Sequence, residues 1–178
     1  MNSEHRHVWN FDPAYTTVEF VIRNLWFNVK GRFRDFEGVI VLDEEDVSRS
    51  SVTATIRAGS IDTGNKRRDE HLRQRDFFDV EKFPEIEFKS TSVRRGKDRD
   101  ALDLEGELTI KDKTVPIALA VNVMDRSRAP SGEEFVYYSA TTELDRCAFG
   151  INYGPGFIGR RLRVNINVQA SNTSQTGR

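Results

Sequence analysis

Cysteine is almost absent from this 178-residue chain. Cys147 stands alone, so no intrachain disulfide can form and a thiolate-based zinc site is excluded. Histidine is scarce as well: His5 and His7 sit near the N-terminus and His71 is alone in the body. Zinc and iron sites recruit two or more histidines with carboxylate or thiolate support, so His71 with Asp69 and Asp76 makes a thin ligand set. No stretch approaches the roughly 18 apolar residues that a spanning helix needs. The opening "MNSEHRHVWNFDP" has no apolar core, so it is not a secretory signal, and a soluble cytoplasmic chain is expected. An excess of one charge is missing too. Lysine and arginine total 27 against 28 acids, a formal charge of −1, which gives no electrostatic reason to expect a nucleic-acid surface.

What is present is period-two alternation. In "LDLEGELTI", 102–110, Leu102, Leu104, Gly106, Leu108 and Ile110 alternate with acids and threonine. This is a strand with one dry and one wet face. After "KDKT" the pattern resumes through Val115, Ile117, Leu119, Val121 and Val123, so the two runs form an antiparallel hairpin. Asp112 suits its turn because Asp tolerates left-handed backbone angles. Similar strands are expected over 17–22, 33–42, 51–58, 85–93, 135–144 and 162–169. About eight strands with few helices define an all-β sandwich or closed barrel, and a barrel of that size holds packed side chains or one small ligand. Inward-reading Ala54, Ala58 and Gly106 point to an interior that is incompletely filled. One domain is the default at this length, with 1–8 and 171–178 as flexible ends.

Two segments break the rhythm. "RNLWFNVKG", 23–31, reads as a short helical turn or bend. Between Lys66 and Asp76, eight of eleven residues are charged, which reads as a helix. Asn65 caps it, and Asp69 and Arg73 form an i,i+4 pair. Leu72 faces the core, and Phe77 and Phe78 anchor the exit. Two alternatives stay open here. The helix is a solvated plug at one barrel end, or Arg68, Asp69 and His71 turn into the barrel mouth and meet a ligand's polar end. An inward Asp69 requires a partner such as Arg68 or Arg146, because a lone buried charge is costly.

Other chemistry is weakly represented. "GPGFIG", 154–159, has dinucleotide-fingerprint spacing, but a β-like run follows where a helix is required. There is no G-x-S-x-G elbow, and Cys147 has no evident base beside it, so it reads as a small buried apolar residue.

Four stretches then carry a family resemblance, in order: "WNFDPAYTTVEFVIRNLWFNVKGRFRDFEGVI", "SIDTGNKRRDEHLRQRDFFDVEKFPEIEFKS", "LEGELTIKDKTVPIAL" and "LDRCAFGINY". From about Trp9 to Ala170 the chain resembles the YceI-like family, most specifically in the T-G-N-x-x-R-D-x-H-L core, F-F-D-V and a following proline (Thr63 to Pro84). The resemblance implies a lipocalin-like, extended antiparallel barrel of about eight strands with an apolar tunnel for an isoprenoid or similar lipid. It implies no catalytic residue, metal or cofactor, and members are often exported to the periplasm and often dimeric. The chain departs from the family in lacking a leader at its start, in Asp112 where the turn usually carries Gly, and in Cys147–Ala148 where a Ser–Asp pair is common.

The expected function is therefore non-enzymatic binding, storage or transport of a long amphipathic lipid. The tunnel is expected to be lined by Phe20, Ile22, Trp26, Phe27, Phe36 and Ile40 from the N-terminal half. Phe78, Phe88, Leu108, Leu119 and Phe149 complete it, with Arg68, Asp69 and His71 at the mouth. The rival readings are a lipid-modifying enzyme using His71 with Asp69 or Asp76 as acid and base, and a solid-core interaction module. A homodimer would pair through an exposed 33–42 edge.

Overall fold

Alternating segments become eleven strands and one short helix in the computed structural model, which describes residues 6–172. The strands are β1 (Arg6–Phe11), β2 (Thr17–Asn24), β3 (Phe27–Phe33), β4 (Phe36–Asp43), β5 (Ser51–Arg57) and β6 (Ile61–Asp62). After helix α1 (Lys66–Leu72) come β7 (Glu85–Arg95), β8 (Ala101–Ile110), β9 (Lys113–Arg128), β10 (Glu134–Asp145) and β11 (Ile158–Asn172).

The eleven strands make eight staves. β1 and β2 lie end to end along one edge of β11, with Phe11 opposite Ala170 and Thr17 opposite Asn167. β4 and β3 follow on β1 and β2, and β5 and β6 follow on β4 and β3. The remaining staves, β7 to β11, pair in sequence order. Because β11 takes β10 on one edge and β1 with β2 on the other, the sheet closes into an eight-stave antiparallel barrel.

The three divided staves break where local chemistry competes with the ladder. Between β1 and β2, Asp12 accepts the Ala14 N–H at 2.9 Å through its side chain, and Pro13 has no N–H to offer. Between β5 and β6, the Ser60 hydroxyl donates to the Arg57 carbonyl at 2.7 Å across a 3₁₀ turn. The expected strand over 33–42 is divided at Arg34–Asp35. Its edge is not free for a second subunit, since β4 lies between β1 and β5.

Other expectations are corrected locally. Segment 23–31 is not helical: Asn24 pairs with Phe27, and Leu25 takes a positive φ of 38° in a two-residue hairpin turn. In the β8–β9 turn the left-handed residue is Lys111 (φ 59°), not Asp112. α1 ends at Leu72 rather than Asp76, and the chain continues in turns that return Phe78 N–H to the Leu72 carbonyl. The barrel begins at Arg6 and runs to Asn172, so 6–8 and 171–172 are strand rather than flexible ends. The rest of those ends, 1–5 and 173–178, falls outside the described residues.

The inward pattern on β8 holds from Leu104 to Ile110, all buried. On β7 a bulge leaves Thr91 unpaired between Ser90 and Ser92. The inward phase therefore moves from Ile86 and Phe88 to Val93, which is buried. On β9 the pattern fails at Val123, which is half-exposed beside a second irregularity opposite Tyr137 and Tyr138.

Candidate functional site

Inward side chains from all eight staves leave a cavity of about 460 Å³. Its wall draws on three buried apolar clusters, through Phe77, Leu108 and Phe149, through Ile40 and Val168, and through Val93, Leu104 and Leu119. Lining residues on β4 run from Phe36 to Leu42, six steps along the strand, which is about 20 Å at 3.3 Å per residue. The space is elongated along the barrel and mainly apolar.

Aromatic rings set its calibre. A Cβ added at Gly106 would overlap the Phe88 ring, and one at Gly38 would overlap the Phe11 ring. The hollow expected at Gly106 is thus filled by Phe88 itself. Ala54 does line the cavity, whereas Ala58 lies in the packed wall.

One side of the cavity is polar. Thr63, Arg68, His71 and Tyr153 all line it, where α1 meets the loop before β11. Asn65 caps α1 by accepting the Arg68 N–H at 3.0 Å. That fixes the first turn so that Arg68 folds back: its Nε donates to Thr63 Oγ1 at 2.7 Å and its Nη2 to the Thr63 carbonyl at 2.9 Å. The His71 ring stands edge-on to Tyr153 and Phe77, with centroids 4.9 and 5.1 Å away. Its Nε2 lies 3.0 Å from Asp76 Oδ2.

Asp69 has a different job from the one expected. It is buried, and its Oδ1 accepts the Thr63 N–H at 2.9 Å and the Thr63 hydroxyl at 2.5 Å. Neither Arg68 nor Arg146 partners it. Arg73 is not its i,i+4 partner either, because that guanidinium donates to the Gly59 and Ile61 carbonyls at 2.8 and 3.1 Å. Asp69 therefore locks the approach to α1 instead of facing the cavity. With it withdrawn, the ligand set His71, Asp69 and Asp76 reduces to the His71–Asp76 pair.

Of the fourteen expected site residues, the structure brings eleven to the cavity wall: Phe20, Ile22, Phe36, Ile40, Arg68, His71, Phe78, Phe88, Leu108, Leu119 and Phe149. Asp69 is behind the wall. Trp26 and Phe27 are outside it, with Trp26 87% exposed, because the tight turn at Leu25 carries both to a projecting hairpin tip. Solvent exposure of two large aromatics was not visible in the local pattern.

Sequence reasoning named Arg146 only as a partner for an inward Asp69 and missed its place in the cavity wall. This residue is buried and lines the cavity. Among the described residues it has no carboxylate partner, and it donates only to carbonyls. Nε reaches Gly159 at 2.8 Å, Nη1 reaches Ile151 at 2.7 Å and Tyr153 at 2.8 Å, and Nη2 reaches Ile158 at 3.0 Å. A single guanidinium thus pins the whole loop that presents Tyr153. A lone arginine in "DRCAFG", ahead of a Gly-rich loop without acids, was the available signal. Tyr138 was missed as well; it lines the cavity, and burial pushes its phenol pKa up, opposed by the nearby Arg126 charge.

An eight-stave antiparallel barrel around a long apolar cavity with a polar rim defines the class as a lipocalin-like barrel. The sequence profile of the YceI-like domain matches residues 9–170, and the chain belongs to that family. Protein YceI of Salmonella arizonae is 34% identical over 159 residues, covering 89% of this chain and 82% of that protein. BcnA of Burkholderia cenocepacia shares the fold at a TM-score of 0.81 and 20% identity, over 89% of this chain and 98% of BcnA. A polyisoprenoid-binding domain from Saccharophagus degradans, implicated in plant cell wall breakdown, shares it at a TM-score of 0.70 and 13% identity. That match covers 95% of this chain and all of that domain (100%).

Proposed function

We propose that this protein binds an isoprenoid or another long-chain amphipathic lipid in the barrel cavity and stores or carries it without altering it. The observation that carries the reading is the cavity itself: elongated, about 460 Å³, apolar along its length and polar at one side. Each buried methylene contributes roughly 0.8 kcal/mol, so one five-carbon unit contributes about 4 kcal/mol before ordering costs. Affinity then comes from chain burial, and Arg68, His71, Thr63 and Tyr153 orient the polar end. The polyisoprenoid-binding description of the Saccharophagus degradans domain supports the same ligand class.

Native mass spectrometry of freshly purified protein, paired with solvent extraction, tests this. A co-purifying hydrophobic mass is expected, with selectivity for chain length over headgroup. A protein that arrives empty and takes up no added isoprenoid would remove the reading.

Among the described residues, the His71–Asp76 contact of 3.0 Å beside the cavity is the feature that favours an acid–base enzyme. That alternative requires turnover of a bound lipid that disappears in His71→Ala. If His71→Ala instead keeps lipid uptake and the fold, the pair belongs to the rim alone.

A further inference from the structure

Five large apolar side chains stand exposed together on two touching segments. Leu25, Trp26 and Phe27 form the β2–β3 hairpin tip, and Tyr153 and Phe157 lie on the loop before β11. The Leu25 N–H donates to the Phe157 carbonyl at 2.9 Å, which joins the segments into one patch. The other exposed apolar residues, including Val8, Tyr15 and Met124, belong to other strands and loops. Exposed apolar groups clustered on one projection mark an interaction site.

The turn backbone gives a second, independent observation. Leu25 takes its positive φ of 38° at a position that glycine or asparagine would occupy without steric cost. A β-turn tip that holds leucine and tryptophan in water, in a conformation unfavourable for leucine, is not optimised for folding alone.

Charge identifies the occupant. Segments 23–33 and 146–163 contain six exposed basic residues (Arg23, Lys30, Arg32, Arg160, Arg161, Arg163) and no aspartate or glutamate. Arg32, Arg160 and Arg161 meet Asp62, Asp145 and Glu143 from neighbouring segments. Arg23, Lys30 and Arg163 have no carboxylate within ion-pair distance among the described residues. Arg163, Val21 and Lys30 stand in register across β11, β2 and β3, so two cations flank Val21 at one level of the sheet behind the tip. Tryptophan and tyrosine favour the headgroup level of a bilayer, and basic side chains are drawn to anionic lipid.

The patch also borders the cavity. Tyr153 itself lines it, as do Asn24 and Ile158 beside Leu25 and Phe157. We propose that the Leu25–Phe27 tip, with Tyr153 and Phe157, inserts into an anionic bilayer surface and sets the polar rim of the cavity at the headgroup layer. The inference rests on the lipid-carrier reading for its purpose, since an insoluble cargo has to enter from and leave to a membrane. A convex tip with a basic surround fits a bilayer better than it fits a second copy of the chain.

The two tryptophans provide the readout. Trp9 is fully buried (0%) whereas Trp26 is 87% exposed, so a fluorescence change on adding vesicles reports Trp26. Vesicles of phosphatidylcholine with roughly one quarter phosphatidylglycerol are expected to shift the emission to the blue. Brominated acyl chains in the same vesicles should quench it, and pure phosphatidylcholine should bind more weakly. Co-sedimentation of Trp26→Ser/Phe27→Ser, and separately of Phe157→Ser, should fall at least about tenfold with circular dichroism unchanged. Absence of binding to the anionic vesicles, while solvent still extracts lipid from the barrel, overturns docking and leaves the carrier reading intact. Docking through Trp26 by a protein that yields no lipid does the reverse. Vesicle binding that survives both variants, or a dimer that Trp26→Ser/Phe27→Ser abolishes without any vesicle binding, also overturns the proposal.

Discussion

The Phe20 ring lies against the backbone of Gly31, its cross-strand partner, so closely that a Cβ at position 31 would overlap the ring's Cζ. Gly31→Ala should therefore push Phe20 into the cavity, at a cost of about 1–3 kcal/mol from forced repacking. Urea unfolding midpoints measure the loss. In Phe20→Ala/Gly31→Ala the two effects should not add, because removing the ring removes the clash. Full additivity would mean that ring and glycine do not meet.

Arg146 offers a larger effect. Its four carbonyl partners belong to residues 151–159, and Arg146→Met removes the guanidinium from all of them. Each orphaned buried polar group costs about 1–3 kcal/mol, so a total loss of at least about 3 kcal/mol is expected. Arg146→Lys should recover only part of this, because an ammonium cannot span the fork of a guanidinium. A thermal midpoint unchanged in Arg146→Met would contradict the assignment.

Acid stability should depend on Asp43. This buried carboxylate accepts the Asp46 N–H at 2.9 Å, the largest influence holding its pKa below the ordinary 3.8. Burial opposes the shift, while Arg49 and the Glu45 N–H reinforce it. A depressed folded-state pKa gives stability that is present above the ordinary value and lost as pH falls through the folded one. Unfolding midpoints at pH 7 and pH 3 should therefore differ more in the native protein than in Asp43→Asn. Equal pH dependence in the two proteins would rule Asp43 out as a source.

Plugging the cavity separates binding from folding. Ala140 is buried in the wall and faces the space, so Ala140→Phe places a ring where the ligand chain would lie. Lipid recovered by extraction is expected to fall to background, while the far-ultraviolet spectrum persists and stability changes by less than about 1.5 kcal/mol. Retained lipid at full occupancy would show that this part of the cavity is not used.

Much of the barrel was legible because side-chain alternation is written residue by residue. On β2, β8 and β11 the even-numbered apolar residues face inward as their period dictates. The same rule located most of the wall, including Phe36, Phe88 and Leu119. It failed where one residue interrupts the period, as at Thr91, after which Val93 replaces Ser92 on the inside. Asp69 was misread for another reason: its partner Thr63 lies six residues back, and nothing local says whether a carboxylate will cap a loop or face a cavity.

By itself the sequence determined the class of fold, the inner and outer face of most strands, and the apolar character of the interior, since each follows from the order of polar and apolar side chains along an extended backbone. Only the tertiary structure decided how the ring closes, because β1 and β2 meet β11 from about 150 residues away. It also decided that Arg146 is buried among carbonyls, and that Trp26 and Phe27 leave the core for the surface. Those outcomes depend on where distant segments come together in space, and a linear pattern of residues carries no record of that distance.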